Sequence, residues 1–304
     1  MIDKNDVREA LTGPVTSISV PFNQDGSIDY ASLRHCLDFY IANGSKTMIL
    51  THGDSLYSLL SDQEVAEVTK VVVEHTAHRA MVVAADRQWA TPQETEFAKF
   101  CQDVGADMLM VLPPNWGRSC TPASLVNHYA AIAEHIPVML VTNLFGELPM
   151  AQALNVIEMV RDQVEGVMAV KDDLAGEFAR KMAMLVHDKW AVISAGHKGN
   201  FLDLLTYGCD GYFSTFSRFH PTIGYKFWAA IQAQDWNQVQ EIIRKDDMPF
   251  FDIIKAQPGG YDAAIHAALE LAGLAQRWRR KPYYSLNDGE MEALGAEFKS
   301  KGWI

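Results

Sequence analysis

The sequence predicts an α/β fold of the (β/α)8 TIM-barrel kind, with a helical extension at its carboxyl end. Three observations carry this. Between about residue 13 and residue 233, short apolar runs alternate eight times with longer amphipathic ones, matching the closed parallel barrel in count and size. The apolar runs are continuous, as in strands buried on both faces, and parallel neighbours need helical crossovers. No G-x-G-x-x-G motif follows the first run, which disfavours the doubly wound open sheet that shares the alternation.

Taken in order, "VTSISVPF" (15–22) reads as the first strand, and a helix closed by Gly44 follows. "KTMILTHG" (46–53) is the second strand; its helix opens with Ser61 three residues before Glu64, a capping-box spacing. "RAMVVAAD" (79–86) leads to a helix begun by Thr91-Pro92, and "ADMLMVLPP" (106–114) to one begun by Thr121-Pro122, proline suiting a helix's first turn. "IPVMLVTN" (136–143), "VMAVKDD" (167–173), "WAVISAG" (190–196) and "GYFSTF" (211–216) complete the eight, each with its helix. Beyond residue 233 the strands stop. Three or four helices, broken at Pro258-Gly259-Gly260, form a tail with no low-complexity linker before it. The expected division is a barrel over 1–233 and a helical region packed on it over 234–304.

The 304 residues are 48% hydrophobic and 21% charged, ordinary for a globular protein. A formal charge of −12 argues against a nucleic-acid groove or an anionic membrane surface as partner, since both need a basic face. No run approaches 18 apolar residues, and the opening Met1-Ile2-Asp3-Lys4-Asn5 is a polar leader without a signal-peptide core. Cys36, Cys101, Cys120 and Cys209 are far apart, with no CxxC pair. That spacing suits a reducing compartment. The expectation is a soluble cytoplasmic protein acting on a small molecule.

In such barrels the chemistry gathers at the carboxyl ends of the strands. Those ends carry Thr51-His52-Gly53-Asp54, Asp86, Asn115-Trp116, Thr142-Asn143, Lys171-Asp172-Asp173, Gly196-His197-Lys198 and Ser214-Thr215. Lys171 is the sharpest of these. An amine among Val and Ala side chains loses the hydration of its charged form, which favours the free amine. A free amine adds to a ketone and forms a Schiff base, an electron sink for making or breaking the adjacent carbon–carbon bond. The alternative is a strand-end lysine that snorkels to water beside Asp172 or Asp173. Thr51 and Ser55 sit in a glycine-containing turn whose hydroxyls and N–H groups could hold a carboxylate. His52 and His197 are candidate acid–base groups. A metal reading would have His52, Asp54, Asp86 and His197 converge on a divalent ion, although their spacing is no recognised ligand pattern.

Several stretches resemble the N-acetylneuraminate lyase and dihydrodipicolinate synthase family of class I aldolases. "GPVTSISVPFNQDGSIDYASL" resembles that family's opening strand, and "THGDSLYSLLSDQE" its G-T-T-G-E-x-x-x-L-x-x-x-E segment. "VMAVKDD" resembles the I-x-G-I-K-[DE] strand that bears the Schiff-base lysine. "SAGHKGNFLDLLTYGCDGYFST" and "LAGLAQRWRRKPYYSL" resemble its later glycine-rich and closing stretches. The resemblance implies a barrel with a helical tail, a homotetramer built as a dimer of dimers, no metal or organic cofactor, and a 2-oxo acid such as pyruvate or a 2-keto-3-deoxy sugar acid bound covalently at Lys171. It places Thr51, Gly53, Asp54, Asn115, Trp116, Asn143, Gly196, Lys198 and Ser214 around the substrate.

The departures bear most on activity. The family's second paired hydroxyl falls on His52, and its proton-relaying tyrosine falls on Thr142, with no tyrosine nearby. The R-T-G that follows in dihydrodipicolinate synthases is missing, and its aspartates after the seventh strand become His197 and Lys198. A threonine hydroxyl does not relay protons near neutral pH as a phenol does, so His52 or His197 is expected to take over. Without the cation for the aldehyde partner's carboxylate, true dihydrodipicolinate synthase activity is not expected. Three functions compete: a Schiff-base lyase or dehydratase; a catalytically degenerate barrel that binds a small oxo acid as sensor or partner; and a metal-dependent barrel enzyme.

Overall fold

The computed structural model describes residues 3–112 and 119–304. Eight parallel strands close into a barrel in sequence order: β1 Gly13–Ser17, β2 Thr47–Ile49, β3 Met81–Ala85, β4 Met108–Val111, β5 Val138–Val141, β6 Val167–Asp172, β7 Ala191–Ser194 and β8 Gly211–Phe213. Closure pairs Gly13 with Gly211. A Cβ at Gly211 would lie 2.0 Å from the Leu11 carbonyl oxygen and 2.6 Å from that of Gly13, so only glycine lets the last strand press against the first.

The strands stop short of the apolar runs that announce them. The first ends at Ser17, five residues before Phe22. Pro21 has no N–H to give a ladder, and the chain instead folds over Asp25-Gly26 so that Phe22 bridges Ile28. At six residues β6 is the longest strand, and it carries Lys171 and Asp172 inside the ladder opposite Ile193 and Ser194.

The helices around the barrel are α2 Tyr30–Ala42, α3 Asp62–Thr76, α4 Thr91–Val104, α5 Pro122–Ala133, α6 Met150–Gln163, α7 Gly176–Val186, α8 Lys198–Gly208 and α9 Thr222–Gln232. The capping box at Ser61 and Glu64 is formed, and Thr121 caps α5 by accepting from the Ser124 N–H at 3.1 Å. At α4 the cap is Ala90, and the Thr91 hydroxyl bonds His128 Nδ1 at 2.9 Å instead. The polar leader also proves to be structured: α1, Lys4–Leu11, buries Val7 and Leu11 fully. Arg8 pins it to the barrel's amino-terminal rim through Asp210 and the carbonyls of His187 and Trp190. Eight residues with alternating charges hide that helix from a search for apolar periodicity.

The tail comprises α10 Trp236–Ile242, a π turn at Ile243–Asp247, α11 Met248–Ala256, α12 Gly260–Leu271 and α13 Asp288–Lys301. It packs on the barrel through rings: Phe250 lies 4.5 Å from Phe216, and Phe298 5.8 Å from Phe219, centre to centre. A buried ion pair adds to this. Asp247, in the π turn, accepts from the Lys198 backbone N–H at 3.0 Å and from its Nζ at 2.9 Å, both residues almost wholly enclosed. Among the described residues no helix is long and apolar enough to cross a membrane. Removing one member of a buried pair strands the other's charge, at a cost of about 3–5 kcal/mol. Urea unfolding of Asp247→Ala is expected to show a loss of about that size, with part of it recovered by Lys198→Met in the double variant.

Candidate active site

The strand ends enclose a cavity of about 390 Å³ at the barrel mouth, reached by Lys171, Thr51, His52, Gly53, Asp54, Asn143 and Gly196, the size of a small-molecule site. Lys171 is 9% exposed. Its Nζ is ion-paired with Asp173 and lies 5.0 Å from the centre of the Phe213 ring. Of the two surroundings expected for Lys171, an apolar one and one beside Asp172 or Asp173, the second applies in that Asp173 stands against the amine, and the cavity opens beside both.

Asp173 is held there by its neighbours. Thr142 Oγ1 donates to Asp172 Oδ1 at 3.0 Å and accepts from the Asp173 N–H at 2.9 Å. Asp172 also accepts from the N–H groups of Leu174 and Ala175; burial raises its pKa against those bonds. Thr142 therefore does not reach the cavity, because its hydroxyl is spent on the turn that aims Asp173.

The Thr51 turn is equally tight. Thr51 Oγ1 accepts from the Asp54 N–H at 2.8 Å, and Ser55 Oγ accepts from the Thr51 N–H at 3.0 Å while donating to the Ile18 carbonyl at 2.6 Å. The N–H groups of His52 and Gly53 make no backbone or side-chain hydrogen bond among the described residues, and the space over Gly53 is open. Two unpaired N–H groups in one turn form a cradle for an anion. Burial and then Arg87 lower the His52 pKa from its ordinary value, which favours the neutral imidazole.

Three further sequence candidates lie outside the cavity lining. His197 holds the N-cap position of α8 without a side-chain cap bond, and its ring lies on that of Phe251, 3.9 Å between centres. Lys198 turns inward to Asp247 and the Phe216 ring. Ser214 is sealed beneath α9, where a Cβ on Gly224 would come within 2.6 Å of its Oγ, and Thr215 faces the cavity in its place. Asn115 and Trp116 lie outside the described residues. The metal reading fails on geometry: among the described residues no three His, Cys, Asp or Glu side chains could hold an ion together.

Asp86, the fourth member of that reading, pairs instead with Glu94 below the mouth. Asp86 Oδ2 accepts from the Leu112 N–H at 3.1 Å, while Asp86 Oδ1 and both Glu94 oxygens have no other described partner. Burial raises both carboxyls, Asp86 to about 8, so each favours its protonated form at neutral pH.

Several cavity residues escape a search of strand ends. Ser17 and Phe213 are the last residues of β1 and β8, strands that the apolar runs carry on to Phe22 and Phe216, while Phe251 and Tyr261 arrive from α11 and α12. Tyr261 follows the Pro258-Gly259-Gly260 break, the signal that could have marked it. Behind Tyr261 lies Arg218, 1% exposed, an arginine inside an otherwise apolar and hydroxyl run.

Fold and site together define a (β/α)8 barrel with a nearly buried lysine at the end of its sixth strand, facing a cavity at the mouth. The chain belongs to the dihydrodipicolinate synthetase family, whose model matches residues 10–301. It is 27% identical over 269 residues to a 4-hydroxy-tetrahydrodipicolinate synthase of Psychrobacter arcticus, covering 86% of this chain and 87% of that one. Among solved structures it is similar to N-acetylneuraminate lyase from Mycoplasma synoviae, with a TM-score of 0.81 at 17% identity over 96% of this chain and 98% of that one. A prophage protein of the dihydrodipicolinic acid synthase family from E. coli, solved with pyruvate, gives a TM-score of 0.82 at 20% identity, covering 96% and 99%.

The carboxyl pair sets a pH signature. An acid whose folded pKa stands at about 8 against 3.8 unfolded keeps its proton longer in the native state. Stability from this source is therefore greatest at low pH and declines as pH rises through that window. Melting temperatures of Asp86→Asn relative to wild type should shift in the variant's favour between about pH 5 and pH 8. A constant difference across that range would show that Asp86 is not protonated in the folded state.

Proposed function

We propose that this protein is a lyase that binds a 2-oxo acid, pyruvate or a 2-keto-3-deoxy sugar acid, as a Schiff base on Lys171. The observation that carries the reading is Lys171 Nζ at the cavity with Asp173 against it. The carboxylate takes the ammonium proton as substrate arrives, and the free amine attacks the ketone carbon. Loss of water leaves an iminium, which draws the electrons of the C3–C4 bond when the aldol bond breaks, or those of a C3–H bond in a dehydration. The substrate's carboxylate is suited to the N–H groups of His52 and Gly53 in the Thr51 turn.

Of the two imidazoles expected to relay protons, His52 lines the cavity and His197 does not, so the base role goes to His52. Dihydrodipicolinate synthase activity remains outside the proposal, because the R-T-G segment is missing from the sequence. The reaction is proposed to need no metal or organic cofactor. The chain is proposed to work in the cytoplasm as a homo-oligomer, a tetramer by family resemblance; its four cysteines are free, three of them buried. A second reading, a degenerate barrel that binds an oxo acid without turning it over, draws on Thr142 standing where the family has its phenol.

Borohydride reduction in the presence of pyruvate and related oxo acids, followed by intact mass, tests both. An adduct that vanishes in Lys171→Ala, with turnover of at least one sugar acid, is expected; an adduct without turnover across the panel favours the degenerate reading, and no adduct defeats both. His52→Ala should keep the adduct while turnover falls roughly 10²- to 10⁴-fold, and His197→Ala should leave turnover near wild type.

A further inference from the structure

We infer that Tyr261, delivered from the carboxyl-terminal helices, is the general acid of this site and gives its phenol proton to the hydroxyl that leaves when Lys171 forms its iminium. The inference rests on the Schiff-base reading of Lys171 and adds a proton donor from a part of the chain remote from the fifth strand.

Position is the first support. The turn at Gly259 and Gly260, both in the left-handed region, begins α12 with Tyr261 as its second residue. The close approach of Tyr284 and Arg279 leaves no room for a Cβ at Gly259. Tyr261 then lines the cavity that Lys171 enters. Its Oη lies 3.2 Å from Oγ1 of Thr215, two residues beyond Phe213, whose ring carries Lys171 Nζ. The phenol and the lysine thus border one cavity.

Charge is the second. Arg218 Nη2 donates to Tyr261 Oη, which leaves the phenol's own hydrogen free to donate to Thr215 or into the cavity. Arg218 Nη1 is 3.1 Å from Ser19 Oγ and 3.5 Å from Asp54 Oδ1. Burial opposes the guanidinium charge, but Asp54, Tyr261 and Tyr40 outweigh it and raise the pKa, so the group stays cationic. A permanent cation bonded to the phenol oxygen stabilises the phenolate that forms when the proton departs. Burial pushes the resting phenol up to about 12, with Arg218 pulling the other way. At neutral pH the group stands protonated, as a donor must.

The step balances. The nitrogen lone pair of the carbinolamine forms the C=N bond as the C–O bond breaks. The departing hydroxyl takes the phenol proton and leaves as water, and the phenolate beside Arg218 regains a proton from solvent. Thr142 at the end of β5 cannot serve, since its hydroxyl is committed to Asp172 and Asp173.

The test is rapid-quench borohydride trapping of the pyruvate adduct, with its formation rate followed against pyruvate concentration in wild type and Tyr261→Phe. Thermal unfolding confirms that the variant folds. Loss of one phenol oxygen should slow the rate at saturating pyruvate roughly 10²- to 10⁴-fold, with the half-saturating concentration little changed. An unchanged saturating rate, or a change confined to half-saturation, overturns the role of Tyr261 while leaving Lys171 as nucleophile. Wild-type protein that traps no adduct overturns the Schiff-base reading and this one with it.

Discussion

Closing the ring between β8 and β1 is the constraint on which the molecule depends. Gly13 and Gly211 lie side by side there, with the Leu11 carbonyl pressed so close that no side chain fits at Gly211. Because every strand runs the same way, closure brings all eight carboxyl ends to one rim. Polar groups that would be scattered along an open sheet then face a common space. Lys171 and Asp173 meet the Thr51 turn in that space although more than a hundred residues of chain lie between.

The site's charges are balanced locally, against the background of a chain that carries −12. Each cation at the mouth has one carboxylate beside it: Asp173 for Lys171 and Asp54 for Arg218. A low-dielectric cavity tolerates a charge that is paired and hydrogen-bonded far better than one that is bare. The arrangement also gives each cation a different task. Lys171 opens to the cavity, whereas Arg218 is sealed behind Tyr261 and keeps its charge.

The barrel was legible because buried parallel strands leave continuous apolar runs, a signal repeated eight times. Lys171 was legible for the same reason, as the first charge to interrupt one of those runs, and the Thr51 turn through its hydroxyls and glycine. Position at a strand end, however, says which rim a residue occupies and not where its side chain points. Ser214 turns under α9 while Thr215 faces the cavity, and Lys198 dives toward a carboxylate nearly fifty residues later. Phe251 and Tyr261 were hidden because they reach the mouth from the tail by long-range contacts, and the Pro258-Gly259-Gly260 break before Tyr261 marks a turn without saying what it faces. The helix α1 was hidden by its brevity and its mixed charges.

The π turn at Ile243–Asp247 is where the tail takes its heading. One residue more or fewer in a helix rotates everything downstream by about 100°, so this single loosened turn sets the azimuth of Asp247 and, four residues on, of Phe251. The stretch of cavity wall that Phe251 supplies is thus governed by helix phase at a point distant from any strand. A single residue inserted at this turn would swing Phe251 off the cavity wall while leaving the ring of strands undisturbed.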